Sequence, residues 1–244
     1  MIQRILLASG NLFFRVRDAL FPTIFIFLFL FTRPVLFLGH ESLDRVVVLA
    51  GLVTALAGQC FRLAVIGFAY IKRGGKEGRV YADDLVIEGF YAHTRNPMYV
   101  ANYLMTVGLG LMYGSPWVYF LVIPFFTYVY LSIVTAEENF LRGKFGAAYE
   151  EYCRAVNRFI PDFRGLRQSL EKFSYDWKKV IRKEYGTFFG LLFALNFIPL
   201  WKTWYIHGFN ARKTEIFIRF LLILPVGFCY FWIRRLKKSG KLAS

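Results

Sequence analysis

Apolar residues in this chain fall in long runs separated by short polar segments, rather than at a helical or strand period. The runs Leu20 to Leu38, Val46 to Tyr70, Pro97 to Tyr113, Trp117 to Ala136, Gly186 to Ile206 and Ile216 to Ile233 stand out. Runs of roughly 17 to 25 residues are long enough, at about 1.5 Å per residue, to cross a hydrocarbon core of roughly 30 Å. The pattern predicts an all-α integral membrane protein with about six transmembrane helices. Met1 to Asp18 mixes Ile5, Leu6, Leu12 and Phe13 with Arg4, Arg15 and Arg17, which predicts an amphipathic segment lying flat on the bilayer. Gly114-Ser115-Pro116 is too short for anything but a helical hairpin, so Glu137-Glu138 must return to the membrane face that carries Arg95 to Tyr99.

From Glu137 the period changes. Leu141, Phe145, Tyr149, Tyr152 and Val156 recur every three or four residues, opposite Arg142, Lys144, Glu150, Glu151 and Arg154. This predicts a cytosolic amphipathic helix starting at Glu137 and reaching Pro161. Phe163 to Tyr185 reads as a basic surface helix or linker. The chain thus divides into an N-terminal segment with the first span (1–45), a core of three spans with the polar turn and the Glu-Glu helix (46–161), and a two-span extension (162–244).

Composition sharpens the topology. The chain is 57% hydrophobic and carries a net charge of +15. Lysines and arginines number 3 before the first run, 5 from Lys72 to Asn96, 11 from Glu137 to Tyr185 and 5 after Ile233, against 2, 0 and 3 in the alternate loops. The positive-inside rule then predicts a multi-pass protein with both termini and both polar regions in the cytosol. Such juxtamembrane charge suits anionic lipid headgroups as partners, and with no recognisable nucleic-acid module it does not imply nucleic acid. Cys60, Cys153 and Cys229 share no metal-ligand spacing and read as buried thiols. No metal site is expected, and Asp83-Asp84 reads as a solvated loop.

The chemistry concentrates in Glu88 to Tyr99. Asn96-Pro97 is a helix-start signal, Asn as N-cap and Pro in the first turn, and a helix start with unpaired N–H groups attracts an anion. Arg95 adds a positive charge suited to a carboxylate or phosphate, while Glu137 and Glu138 suit an ammonium or sulfonium. A zwitterion with an additional positive centre matches both sides, and the methionine part of S-adenosylmethionine is one. Solvated or mutually paired helix ends are the bland reading of the same residues. Arg62, inside the second run, reads as an interhelical partner and Arg219 as a structural or headgroup contact. Gly108-x-Gly110 reads as helix packing and Gly74-Gly75-Lys76 as a flexible loop.

Taken together, Gly89-Phe90-Tyr91, Arg95-Asn96-Pro97-Met98-Tyr99 and Glu137-Glu138, with Leu141, Phe145-Gly146, Tyr149, Tyr152, Val156, Arg158 and Pro161, resemble the signature of the isoprenylcysteine carboxyl methyltransferase and phospholipid methyltransferase superfamily. The likeness spans roughly Val46 to Pro161, and many bacterial members read Arg-Asn-Pro-Met-Tyr, which implies a bacterial cytoplasmic membrane. In that family the turn and the acidic helix jointly enclose S-adenosylmethionine, and a tunnel admits the lipid acceptor. The resemblance implies cofactor-binding roles for Tyr91, Arg95, Asn96, Pro97, Tyr99, Glu137, Glu138, Leu141 and Tyr152, and catalytic roles for Arg95, Glu138 and Tyr99. It implies methyl transfer to a lipid or lipidated acceptor, of the isoprenylcysteine carboxyl or the phospholipid amine type.

Two departures bear on the acceptor. Trp117 to Ala136 lacks the arginine that the carboxyl methyltransferases place before the acidic pair, and the extension 163–244 has no counterpart in many members. A carboxylate acceptor needs no base, whereas an amine must lose a proton, for which Glu137, Glu138, His93 and Tyr99 are the candidates. The competing readings are an NADPH-dependent membrane sterol or lipid reductase and a non-catalytic lipid-binding scaffold.

Overall fold

The computed structural model describes residues 1–68, 73–76, 79–82 and 84–239. Its helices are α1 (Ile2–Phe31), α2 (Glu41–Phe68), α3 (Pro97–Tyr113), α4 (Ile123–Phe145), α5 (Ala147–Ala155), α6 (Leu166–Leu170), α7 (Trp177–Ala211) and α8 (Lys213–Lys238). The helices α2 and α8, and the stretch Val118–Phe145 that contains α4, are long and apolar enough to cross a membrane. A two-stranded antiparallel hairpin, β1 (Arg73–Lys76) with β2 (Arg79–Ala82), pairs Arg73 with Ala82 and Lys76 with Arg79. The stretch Gly74-Gly75-Lys76 is therefore strand rather than loop, and Asp83 lies outside the described residues.

The N-terminal segment and the first apolar run are one element. Residues 2–31 form one helix, and its first half packs on α4. Gly10 makes this possible, because a Cβ there would lie 2.0 Å from the Ser132 carbonyl oxygen; Ser9 Oγ and Tyr128 Oη add a hydrogen bond of 2.6 Å. The same helix ends at Phe31, not Leu38. Pro34 disfavours helical backbone in the residue before it, and Thr32 Oγ1 caps the end by donating to the Leu28 carbonyl at 2.8 Å.

The helices α2 and α3 pack closely along their lengths. A Cβ on Gly108 would meet the Gly51 carbonyl oxygen and the Ala55 nitrogen at 2.5 Å, and one on Gly58 would meet the Ala101 carbonyl oxygen at 2.6 Å, so the packing role expected of Gly108 holds. After the turn at Gly114, residues Val118–Val122 are π-helical before α4 begins. Pro124 removes the N–H that would continue an α-helical ladder there.

The acidic pair does not start a helix. Helix α4 runs uninterrupted through Glu137 and Glu138 to Phe145, where Gly146 (φ 52°) breaks it before α5. The break occurs because an L side chain resists that backbone conformation and glycine does not. The apolar stripe survives the break: Leu141, Tyr149 and Tyr152 form one buried cluster with Ala82, and Phe145 and Val156 pack against it.

Helix α7 begins at Trp177, well before the apolar run, since Asp176 accepts the Lys179 N–H at 2.9 Å as an N-cap. It is tied to α2 at both ends. Near its start the Tyr175 ring lies over Gly67 and the Asp176 N–H donates to the Gly67 carbonyl at 3.0 Å. Near its other end Lys202 forms a buried 2.6 Å ion pair with Asp44. Lys202 is thus an interior residue, held by a carboxylate that also accepts the Phe37 N–H. Cys60 is exposed rather than buried, and Cys153 and Cys229 are only partly buried. Cys60 continues the outward face of Leu49, Val53 and Leu56 on α2, where an apolar surround tolerates a thiol as well as a core does.

Candidate active site

The polar turn is held from the segment that follows α5. The Arg95 N–H donates to the Asn157 carbonyl at 2.9 Å, the Asp162 N–H to the His93 carbonyl at 3.0 Å, and Thr94 Oγ1 to the Phe159 carbonyl at 3.2 Å. Residues 157–162 are irregular rather than helical, with α5 ending at Ala155, and they run beside the turn. His93 is spent on this clasp: Nδ1 donates to the Asp162 carbonyl and Nε2 meets Ser169 Oγ at 2.9 Å. Both ring nitrogens are engaged, so His93 holds the turn rather than standing ready as the proton acceptor offered among the candidates.

Asn96 is the N-cap of α3 by position but not by side chain. Its Nδ2 donates to Glu138 Oε1 and to the Arg158 carbonyl, both at 3.2 Å. The carboxylate of Glu138 gathers three residues, since Arg95 Nη2 lies 3.6 Å from Oε1 and Arg158 Nε 3.0 Å from Oε2. The hairpin does return the acidic pair to the turn. Three buried polar atoms have no hydrogen-bond partner there, Arg95 Nε, Asn96 Oδ1 and Arg158 Nε, the last close to Glu138 but not in hydrogen-bond geometry. Unsatisfied buried atoms of this kind cost about 1–3 kcal/mol each.

The two glutamates face different spaces. Glu137, accepting from Tyr99 Oη at 2.7 Å, lines a cavity of about 1140 Å³ together with Tyr91, Arg95, Asn96 and Tyr99. Glu138 lines a second cavity of about 470 Å³, roofed by Ile2, Gln3 and Leu6 of α1. Arg95 lies on the wall of both. Leu141 and Tyr152 line neither: Leu141 is 1% exposed in the core beneath, and Tyr152 Oη donates to the Tyr91 carbonyl at 2.7 Å. Pro97 is buried in the first turn of α3.

Residues 47–148 match the phospholipid methyltransferase family. The match bears out the superfamily resemblance carried by the Arg95 to Tyr99 turn and the acidic pair, both of which it contains. The nickel-cobalt-cadmium resistance protein NccN of Alcaligenes xylosoxydans xylosoxydans is 31% identical over 78 residues, 32% of this chain. The cobalt-zinc-cadmium resistance protein CzcN of Cupriavidus metallidurans is 35% identical over 77 residues, again 32% of this chain. The aligned segments make up about a third of those relatives, 36% and 35% of their lengths. No solved structure matches the chain.

The large cavity extends well beyond the family segment. Arg62, Asn102 and Thr106 line it from α2 and α3, and Lys179, Lys183, Glu184, Leu191 and Phe197 from α7. Arg62 donates to both Glu184 oxygens, at 2.8 and 2.6 Å, and to Asn102 Oδ1. The interhelical role read for Arg62 holds, but its partner was not foreseen. The one available signal was that Glu184 is the only acid between Trp177 and the apolar run.

Proposed function

We propose that this protein is a membrane-embedded S-adenosylmethionine-dependent methyltransferase acting on a lipid or lipidated acceptor. The observation that carries the reading is the placement of Arg95 and Asn96, each with an unpartnered buried atom, on the polar end of a cavity that turns aromatic and apolar, inside the family-matched segment. The donor set fits the methionine part of the cofactor. Arg95 Nε would donate to its carboxylate, Asn96 Oδ1 would accept from its ammonium, and the Glu137 carboxylate offsets positive charge. When bound, the cofactor supplies a methyl group activated by the sulfonium charge.

The chain's own residues then have separate tasks. Tyr91, Arg95, Asn96 and Tyr99 bind and orient on the cavity wall; Glu138 acts from behind it, positioning Arg95, Asn96 and Arg158. Leu141, Pro97 and Tyr152 support the turn from below. The Tyr99–Glu137 hydrogen bond gives an amine acceptor a route for its proton, while a carboxylate acceptor would leave that pair a purely electrostatic role. Small-molecule sites run to about 300–1,000 Å³. At about 1140 Å³ the cavity has room for a cofactor head and part of an acceptor chain.

The topology completes the proposal: six spans, α1, α2, α3, α4, α7 and α8, in a bacterial cytoplasmic membrane, with both termini and the Arg95 turn in the cytosol. Core and extension act as one unit, since α7 walls the cavity. The metal-resistance names belong to the two relatives. Among the described residues no three His, Cys, Asp or Glu side chains are grouped to hold a metal ion, and no metal role is proposed for this chain. Calorimetric titration of purified protein with S-adenosylmethionine and then NADPH tests the reading. Binding of the first is expected, with loss in Arg95→Ala and Glu138→Ala that remain folded; heat only from NADPH would favour a reductase. Labelled S-adenosylmethionine fed to membranes, with mass spectrometry of the product, identifies the acceptor.

A further inference from the structure

The far wall of the large cavity belongs to α1 and α7, and these two helices do not pack along each other. Helix α1 lies on α4, and α7 lies on α2, α3 and α8. The two meet through aromatic side chains, Phe29 with Phe197 at 5.1 Å and with Trp201 at 5.8 Å between ring centroids. Those contacts sit toward the end of the bundle that carries the Lys202–Asp44 pair, so the helices part toward the Arg95 end. The strip of α7 that faces the opening is Gly186, Gly190 and Ala194. A Cβ at Gly186 or Gly190 would meet no atom within 4 Å, so the space beside the strip is open.

The charges around this opening are uneven. Five basic side chains, Arg17, Arg62, Arg95, Lys179 and Lys183, and two acidic ones, Glu137 and Glu184, line the cavity. Arg62 and Glu184 satisfy each other. Three of the basic residues, Arg17 on α1 and Lys179 and Lys183 on α7, line the cavity where it borders these two helices. The same two helices also line it with Phe25, Phe29, Phe193, Phe197 and Ile198. A wall that is both cationic and aromatic matches a molecule with an anionic head and an apolar chain.

We propose that the acceptor is an amphiphile with an anionic headgroup, admitted between α1 and α7, its headgroup against Arg17, Lys179 and Lys183 and its chain along Gly190 and the phenylalanines. The assignment of this molecule as methyl acceptor rests on the methyltransferase reading; its binding does not. It gives the extension a task, because α7 supplies two of the three headgroup residues and the open strip.

The test uses the full chain in phosphatidylcholine nanodiscs, titrated with hexadecyl sulfate, hexadecanol and hexadecyltrimethylammonium and followed by native mass spectrometry. The chains are identical and only the head charge differs. Hexadecyl sulfate is expected to bind on the order of tenfold more tightly than hexadecanol, and the cation most weakly. Lys179→Glu with Lys183→Glu should abolish or invert that order. Gly190→Trp fills the open strip without a backbone clash and should remove saturable binding of all three probes. Equal or tighter binding of hexadecanol by the wild-type chain overturns the proposal, and needs no variant to be decisive. An unchanged preference in the double variant, or wild-type binding in Gly190→Trp, does so too. Calorimetry with S-adenosylmethionine keeps the two readings apart: cofactor binding without the anion preference defeats this inference alone, and the preference without cofactor binding defeats the enzyme alone.

Discussion

Arg62 on α2 donates to both carboxylate oxygens of Glu184 on α7, at 2.8 and 2.6 Å, with the two side chains 12% and 4% exposed. Lys202 on α7 returns the arrangement near the other end, 2.6 Å from Asp44 on α2. Charge sits on α2 at one end and acid at the other, and α7 carries the complement of each. The pairing fixes the direction and register of α7 along the core, and with them the residues it contributes to the cavity. An extension outside the family match thereby becomes part of the candidate active site.

Breaking one member of the Arg62–Glu184 pair leaves its partner buried and uncompensated, which costs about 3–5 kcal/mol. Arg62→Ala and Glu184→Ala should each lower the melting temperature in detergent markedly. Arg62→Met combined with Glu184→Leu should recover most of the loss, since an apolar pair of similar volume carries no desolvation penalty. Additive losses in the double variant would show that the two residues act independently.

The Asn96 amide gives a narrower test. Its Nδ2 donates to Glu138 and to the Arg158 carbonyl, so the position needs a donor. Asn96→Asp would set a carboxylate against Glu138 and is expected to weaken S-adenosylmethionine binding by on the order of tenfold or more. Asn96→His retains an N–H and should bind within a few-fold of wild type. Calorimetry on the two variants decides it; equal affinities would remove Asn96 from the site.

The Arg95 turn and its meeting with Glu138 were legible in the sequence because both follow from local signals, a proline-marked helix start and a three-residue hairpin. The division of labour between the two glutamates was not. Adjacent residues on a helix point about 100° apart, so Glu137 and Glu138 inside a continuous α4 must face different spaces, but the sequence placed a helix start at Glu137. The apolar stripe from Leu141 to Val156 concealed the break at Gly146, because the buried face continues across it. The Glu184 and Lys202 pairings escaped for another reason. They join residues 122 and 158 positions apart, and no periodicity reports which helix a distant one lies on.

Two glycines of α4 and its end separate conformation from space. A Cβ on Gly143 or on Gly146 would meet nothing within 4 Å, yet only Gly146 has a positive φ, 52°. Gly143→Ala should stabilise the protein by about 0.5–1 kcal/mol, as expected inside a helix. Gly146→Ala should destabilise it by about 1–3 kcal/mol, the cost of placing an L residue in a positive-φ conformation (φ 52°, ψ −124°) that glycine adopts freely. Denaturation midpoints measure both. Gly146→Ala as stable as wild type would mean that α4 and α5 can join without the break.

Lys179 supplies a pH dependence with a definite sign. It lies ahead of the apolar run that begins at Gly186. Burial pushes its ammonium below the ordinary lysine range, Asp176 opposes the shift, and Lys183 and Arg182 add to it. Between its folded value and the ordinary one, the unfolded chain holds the proton and the folded chain does not, so the penalty for the buried charge is relieved as pH rises through that window. Anion binding moves the opposite way, because it needs the charged form. Hexadecyl sulfate keeps its charge throughout, so its affinity should fall with rising pH before an ordinary lysine would titrate. Lys179→Arg, whose guanidinium stays protonated, should shift the fall to higher pH. Superimposable affinity curves for wild type and Lys179→Arg would place the headgroup away from Lys179.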